Sequence, residues 1–177
     1  MVPQILISQD SPSGDSSINP ANSRIVKIFD GGKGFLEGPV MSSDENLYVT
    51  DVGRDLKTGH IWQINPDTME ANVFLSPSGN AYGMIIDKEN RIVITQGAEH
   101  GGQRIIRIDL DTRLSETLTA THNGLPYNAP NDIVIDNKDR AYFTDPSYFR
   151  FLSYEPIYQP VQGVYRIDTN NSVQMII

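Results

Sequence analysis

The chain has 177 residues, with 14 basic and 22 acidic side chains and therefore a formal charge of −8 at pH 7. A surface of this sign repels phosphate backbones, so the composition argues against nucleic acid as a partner. The sequence contains no cysteine, which excludes a disulfide framework, a thiolate nucleophile and a cysteine-based zinc site.

The N-terminal residues predict an arm rather than a targeting segment. They have neither the basic start nor the apolar run of a signal peptide, and no stretch approaches the ~18 apolar residues of a membrane-spanning helix. We therefore expect a cytoplasmic protein that does not bind membranes. A Ser-, Pro-, Asn- and Gly-rich stretch predicts a flexible arm over residues 1–23. Residues 24–29 (RIVKIF) predict a strand, so the ordered domain is expected over residues 24–177.

An internal repeat organises most of the sequence. Three segments of equal length align without gaps, and their starts are 45 and 49 residues apart. In each, a polar turn rich in Asp and Asn separates two runs of β-branched and aromatic residues, which predicts two strands joined by a turn. Two further short strands are predicted after each segment. The aligned segments are 37–51 (EGPVMSSDENLYVTD), 82–96 (YGMIIDKENRIVITQ) and 131–145 (NDIVIDNKDRAYFTD).

Four short antiparallel strands repeated every ~45 residues are typical of the blades of a β-propeller. The sequence thus predicts an all-β fold with three four-stranded blades, at about residues 37–80, 81–128 and 129–177. A two-layer sandwich is the structural alternative, but it does not predict three gapless copies. Propellers typically close with about 4–8 blades, so three blades are fewer than a ring needs.

Several motifs resemble those of the gluconolactonase/SMP-30 (regucalcin) family. They are Glu37-Gly38-Pro39, Glu99-His100-Gly101, Pro130-Asn131-Asp132 and the segment from Tyr142 to Tyr148, in this order. The resemblance implies a six-bladed propeller with a divalent cation, often calcium, in its central channel. It also implies hydrolysis of sugar lactones or, in some branches, of other lactones or organophosphates. On this basis the chain would hold half of the ring.

The resemblance also assigns roles to individual residues. It implies that Glu37 is a metal ligand and that Asn131 binds metal or substrate. The family's remaining ligands, and the Asp that serves as general base, are expected beyond residue 177. His100 lies in a Gly-rich connection and is a candidate for contacting the substrate, although such a histidine is most often an exposed loop residue.

The residue types at these positions agree with a cation site. Glu37 and Asn131 both occupy the first position of their repeat unit, so they converge if that position faces the channel. Their hard oxygen atoms suit calcium, whereas zinc, magnesium and manganese remain possible. The simpler readings are a solvated turn for Glu37, a backbone-bonding Asn131 and a structural Asp132.

Three functions remain open at this point. The first is a metal-dependent lactone hydrolase of the gluconolactonase type, incomplete or inactive as this chain alone. The second is a non-catalytic propeller that binds a small molecule or a protein partner, because fold does not determine function. The third is a half-propeller that completes its ring as a homodimer.

Overall fold

The computed structural model describes residues 15–18, 20, 23–53, 59–97, 101–148 and 157–177. The chain divides into two units, residues 1–31 and residues 32–177. No helix in this described part of the chain is long and apolar enough to cross a membrane.

Three four-stranded antiparallel sheets follow one another along the second unit, and in each the strands lie side by side in chain order. We call these sheets blades one, two and three. A short two-stranded hairpin between blades two and three was not predicted from the sequence. The strands of blade one are β1 (Phe35–Met41), β2 (Leu47–Val52), β3 (His60–Ile64) and β4 (Ala71–Leu75). Those of blade two are β5 (Ala81–Ile86), β6 (Arg91–Gln96), β7 (Arg104–Asp109) and β8 (Ser115–Thr119). The hairpin consists of β9 (Thr121–His122) and β10 (Leu125–Pro126), and blade three consists of β11 (Ile133–Ile135), β12 (Ala141–Asp145), β13 (Gly163–Ile167) and β14 (Val173–Met175).

The predicted polar turns join the first two strands of every blade. In blade two, Asp87 Oδ1 accepts hydrogen bonds from the main-chain N–H groups of Glu89 and Arg91, at 3.1 and 2.9 Å. This use of an aspartate to close a turn is the one that the sequence predicts. The ninth residue of each unit has a positive φ, close to 60°, which Asn and Asp tolerate better than most residues. These residues are Glu45, Asn90 and Asp139.

The core consists of two apolar clusters, one at each boundary between blades. Side chains alternate along a strand, so adjacent residues of β6 point to opposite faces of blade two. Ile92 and Ile94 pack with Tyr48 and other residues of blade one. Val93, between them, belongs to the second cluster, which includes Phe143 of blade three. The β-branched runs that the sequence reads as strands are therefore the surfaces that join the blades.

The predicted strand at residues 24–29 is wrong. The structure gives residues 23–31 no regular secondary structure, and Ile25 is 73% exposed. A β-strand needs a neighbour that accepts and donates main-chain hydrogen bonds, and the described residues of the first unit contain no such neighbour. β-propensity alone is thus not enough to form a strand here.

Candidate functional site

The first strands of the three blades approach each other closely where the repeat units begin. Gly83 N–H donates to the main-chain carbonyl of Asn131 over 2.7 Å, which links blades two and three. Between blades one and two, a Cβ atom on Gly38 would lie only 2.3 Å from the carbonyl oxygen of Tyr82. Gly38 also has a φ of +56°, so glycine is needed here for both space and conformation. The Gly of the Glu-Gly-Pro motif therefore lets two blades meet.

A β-bulge sets the direction of the side chains at this point. In β1 the register moves from Glu37 opposite Thr50 to Val40 opposite Tyr48, so β1 has one residue more than β2. Blade three has the same irregularity, because Asn131 N–H donates to Thr144 O while Thr144 N–H donates to Asp132 O. Bulges of this kind redirect a side chain next to a regular sheet and are common near functional sites.

Glu37 and Asp132 lie within electrostatic range of each other. The pKa of Glu37 is raised, first because the carboxyl group is partly buried and second because of the negative charge of Asp132. Both effects disfavour the ionised form of Glu37. Two acidic groups, one from blade one and one from blade three, are thus within electrostatic range of each other next to these bulges.

Asp132 was read from the sequence as a structural residue, and it does accept a hydrogen bond at Oδ1 from Ile133 N–H, at 2.8 Å. Its influence on Glu37 was missed, because that influence depends on the bulge and on how closely the blades approach. The only sequence signal was its place beside Asn131 in the Pro-Asn-Asp motif.

Tyr148 orients the side chain of Asn131. Its phenol O–H donates to Asn131 Oδ1 across 3.4 Å, while Tyr148 itself is 53% exposed. The main-chain carbonyl of Asn131 is held separately by the Thr95 hydroxyl, which donates to it over 2.6 Å. The main chain of Asn131 is therefore bonded to Thr95 of blade two, and its side chain is bonded to Tyr148.

The donor set in this region consists of oxygen atoms. Carboxylates and an amide carbonyl are the ligands that calcium prefers in proteins. Within the described ranges no three His, Asp or Glu side chains cluster in a way that could hold a metal ion by themselves. A cation at Glu37 and Asn131 would need amide, main-chain or water oxygens as well. His100, the predicted substrate contact, lies outside the described residues.

The last residue of the first and third repeat units fixes the chain that leads into the first strand of its blade. In blade one, the carboxylate of Asp51 accepts the N–H groups of Lys33 and Gly34 at 2.9 and 2.8 Å. In blade three, Asp145 accepts those of Asn128 and Ala129 at 2.9 and 2.7 Å. A side chain that accepts two successive N–H groups rigidifies the approach to Glu37 and to Asn131.

These two aspartates differ in pKa although they make the same pair of bonds. Burial raises the pKa of Asp145 to about 6, against the lowering effect of its two N–H donors. Burial also acts on Asp51, but Lys33 N–H, Trp62 Nε1–H and Gly34 N–H outweigh it and hold the pKa of Asp51 below its ordinary value. The indole donor of Trp62, at 3.2 Å, is the additional partner that Asp145 does not share.

Comparison with known proteins places this arrangement in a family. Residues 35–177 match the family described as SMP-30/Gluconolactonase/LRE-like region. A gluconolactonase from Zymomonas mobilis subsp. mobilis is 27% identical over 125 residues, which are 63% of this chain and 33% of that protein. The chain thus spans about a third of the length of this curated relative.

Two solved structures illustrate the likeness in fold. A gluconolactonase from Xanthomonas campestris superposes with a TM-score of 0.74 at 22% identity, over 87% of this chain and 50% of that one. A virginiamycin B lyase from Staphylococcus aureus superposes with a TM-score of 0.55 at 13% identity, over 87% of this chain and 44% of that one. The predicted blades are therefore confirmed as part of a β-propeller, and the chain belongs to the SMP-30/gluconolactonase/LRE-like family.

Proposed function

We propose that this chain carries part of the cation-dependent site of a sugar-lactone hydrolase, with Glu37 and Asn131 as ligands of a divalent cation. The observation that carries the proposal is that Glu37 of blade one lies within electrostatic range of Asp132 of blade three, the neighbour of Asn131. Residues from blades one and three contribute to one place, and the pKa of Glu37 is raised there by burial and by Asp132.

The electrostatics support a cation at this place. Two acidic groups near each other, one of them partly buried, are costly when both are ionised. A divalent cation bound by Glu37 would favour the ionised form of this side chain and so lower its pKa. A bound cation would thus offset both the burial and the repulsion from Asp132, and the residues fit the cation that the family resemblance implies.

Calcium is the cation we favour. The ligand types are a carboxylate and an amide oxygen, and calcium accepts six to eight such oxygens in flexible geometry. Magnesium, manganese and zinc bind oxygen sites as well, with different affinities and stricter geometry. Tyr148 donates to the amide oxygen of Asn131, which keeps a second lone pair for a cation.

The proposed reaction is the opening of a lactone by water. When bound, the cation would supply a Lewis acid for the lactone carbonyl and lower the pKa of water. Glu37 and Asn131 would bind and position the cation as its ligands. Asp132 would contribute a nearby negative charge. The substrate class rests on the relatives from Zymomonas mobilis and Xanthomonas campestris, whose names state gluconolactonase. The general base and the substrate contact of His100 stay predictions.

Calcium binding to the purified chain tests the proposed ligands. We expect isothermal titration calorimetry to detect binding that weakens at least about tenfold in Glu37→Gln and in Asn131→Ala, because each removes a ligand. Glu70→Gln, an exposed carboxylate in the turn between β3 and β4, is the matched control and should bind like the parent chain. Equal binding by Glu37→Gln and Glu70→Gln would reject the proposed site.

Lactone turnover tests the activity and is measured with the three further blades supplied, because the general base is expected beyond residue 177. Hydrolysis of glucono-1,5-lactone, followed by base uptake at constant pH, should exceed the spontaneous rate and fall in EDTA and in Glu37→Gln. Turnover that survives both changes would contradict the proposal. Calcium binding at Glu37 without any turnover would also contradict a hydrolase and would favour the non-catalytic binding module that the sequence left open.

A further inference from the structure

A cavity lies between the outer strands of blades one and two, and none of the proposed cation ligands lines it. It has a volume of about 360 Å³, which is within the range of small-molecule sites. We call it the outer groove. Both blades that form it are complete in the described chain. Its principal lining residues are Val73 and Phe74 of β4, Arg104, Ile106 and Ile108 of β7, and Arg113 of the following turn.

The outer groove has an apolar centre and a cation toward each end. Along β7, alternate residues face the same side, so Arg104, Ile106 and Ile108 point toward blade one. Arg104 starts the strand, and Arg113 follows its far end. At about 3.4 Å per residue, β7 spans roughly 17 Å from Arg104 to Asp109. The two guanidinium groups thus belong to opposite ends of an elongated apolar slot.

Neither cation has an acidic partner among the described residues. Within the described part of the chain, none of the side chains that line the outer groove is acidic, and neither arginine forms an ion pair. Arg104 Nε–H donates instead to the neutral amide oxygen of Gln96 at 2.6 Å. In a chain with 22 acidic and 14 basic side chains, a slot with two arginines and no lining carboxylate is unusual.

Arg113 is held in place by an aromatic ring. Its guanidinium carbon lies 4.0 Å from the centre of the Phe74 ring, which is a cation–π contact. Arg113 has a φ of +63°, as do Met69 and Asn171 in the corresponding turns of blades one and three, within a few degrees. The turn geometry is therefore general to the repeat, and in blade two this turn carries an arginine whose guanidinium group lies over an aromatic ring.

The opposite face of β7 provides the contrast. Arg107 points toward blade three and donates from Nε and Nη2 to Glu116 Oε1, at 2.8 and 2.5 Å. Its charge is balanced within the protein. The uncompensated charge on the other face, beside an apolar surface, favours a negatively charged ligand with an apolar body.

From this arrangement we propose that the outer groove binds an elongated apolar organic acid, whose carboxylate meets Arg113 while its hydrocarbon part covers the exposed Val73 and lies against Phe74. This site is independent of the proposed lactone site, because it lies between outer strands and shares none of its residues. It would serve as a ligand-binding site that is not catalytic.

Binding of decanoate to the purified chain tests this proposal. We expect saturable binding in calorimetry at low ionic strength, with amide shifts in NMR spectra at residues 73–75, 106 and 115. Arg113→Gln should weaken binding about tenfold, because it removes the charge-assisted hydrogen bond to the carboxylate, whereas Arg104→Gln, at the other end of the slot, should weaken it by less than about threefold. Decan-1-ol, with the same chain length and no charge, should bind at least about tenfold more weakly.

Arg107→Gln is the matched control, since it removes the same charge from the opposite face of blade two. We expect its affinity for decanoate to equal that of the parent chain. Loss of affinity in Arg107→Gln as large as in Arg113→Gln would show a general charge effect and overturn the proposal. So would equal binding of decanoate and decan-1-ol, shifts confined to other residues, or no binding of decanoate.

Discussion

Thr95 donates a hydrogen bond from its hydroxyl to the main-chain carbonyl of Asn131 over 2.6 Å, and so ties blade two to the first residue of the third repeat unit. The same threonine is fully buried. Threonine recurs at this place in every unit, as Thr50, Thr95 and Thr144. Thr144 differs because its side chain is exposed.

We predict that Thr95→Val destabilises the protein by about 1–2 kcal/mol, because the change removes a buried donor while keeping the shape of the side chain. Urea denaturation measures the effect, and Thr95→Ser should recover part of the loss. Thr144→Val is the control and should change the free energy of unfolding by less than about 0.5 kcal/mol, since water replaces an exposed hydroxyl. Equal effects at the two positions would contradict a role in joining blades.

The two buried aspartates give a prediction about pH. Burial raises the pKa of Asp145 to about 6. A carboxyl group whose pKa is raised by folding favours the folded state most below its unfolded pKa, and this contribution is lost as the pH rises through about 6. We therefore expect Asp145→Asn to be less destabilising at pH 8 than at pH 4, by up to about 3 kcal/mol.

Asp51→Asn should show the opposite trend, because the pKa of Asp51 is lowered by its N–H donors. Its contribution is present above the unfolded pKa and is lost as the pH falls through the folded value. The variant should therefore be more destabilising at pH 7 than at pH 3. If urea denaturation gave the same pH dependence for Asp51→Asn and Asp145→Asn, the N–H donors around each carboxylate would not determine its pKa.

Gly38 provides a test of the close approach between blades one and two. Gly38→Ala places a Cβ atom 2.3 Å from the carbonyl oxygen of Tyr82 and forces a positive φ on alanine. We expect a loss of at least about 2 kcal/mol in the free energy of unfolding. Gly124 has a φ of +77° but open space around it, so Gly124→Ala should cost only about 1 kcal/mol. Thermal or urea denaturation of the two variants separates the strain of a positive φ, which both share, from the collision with Tyr82, which only Gly38→Ala has. Similar losses of stability in the two variants would argue against the collision.

The coupling between Glu37 and Asp132 can be measured directly. Carbon-13 NMR titration of the Glu37 carboxyl group in metal-free buffer should give a pKa above the ordinary value for glutamate. Asp132→Asn should lower this pKa only in part, because burial, the larger cause, remains. Asp67→Asn, at an exposed turn, removes the same charge elsewhere and should leave the Glu37 value unchanged. No response to Asp132→Asn would refute the proximity of the two carboxyl groups.

Much of the fold was predictable from the sequence because the strand pattern is local and occurs three times. Turns such as the one at Asp87 depend on bonds between residues two to four positions apart, which a sequence displays. The prediction of a strand at residues 24–29 was wrong because a strand also needs a neighbouring strand to pair with. The presence of that neighbour cannot be read from the local sequence.

The candidate site was predictable only in outline. The common repeat position of Glu37 and Asn131 indicated that they belong to one region of the fold. The bulges that turn these residues, and hence the effect of Asp132 on Glu37, depend on register between strands far apart in the chain. The outer groove was invisible for the same reason, since Phe74 and Arg113 meet only when two blades stand side by side.

The alternation along β6 has a consequence for the order in which the sheets open. Val93 faces one apolar cluster, and Ile92 and Ile94 face the other, so blade two is covered on both sides by its neighbours. Its amide protons should therefore exchange with solvent deuterium more slowly than those of blades one and three. Opening would then begin at the flanking sheets, and the last protected amides would be those of β6 and β7.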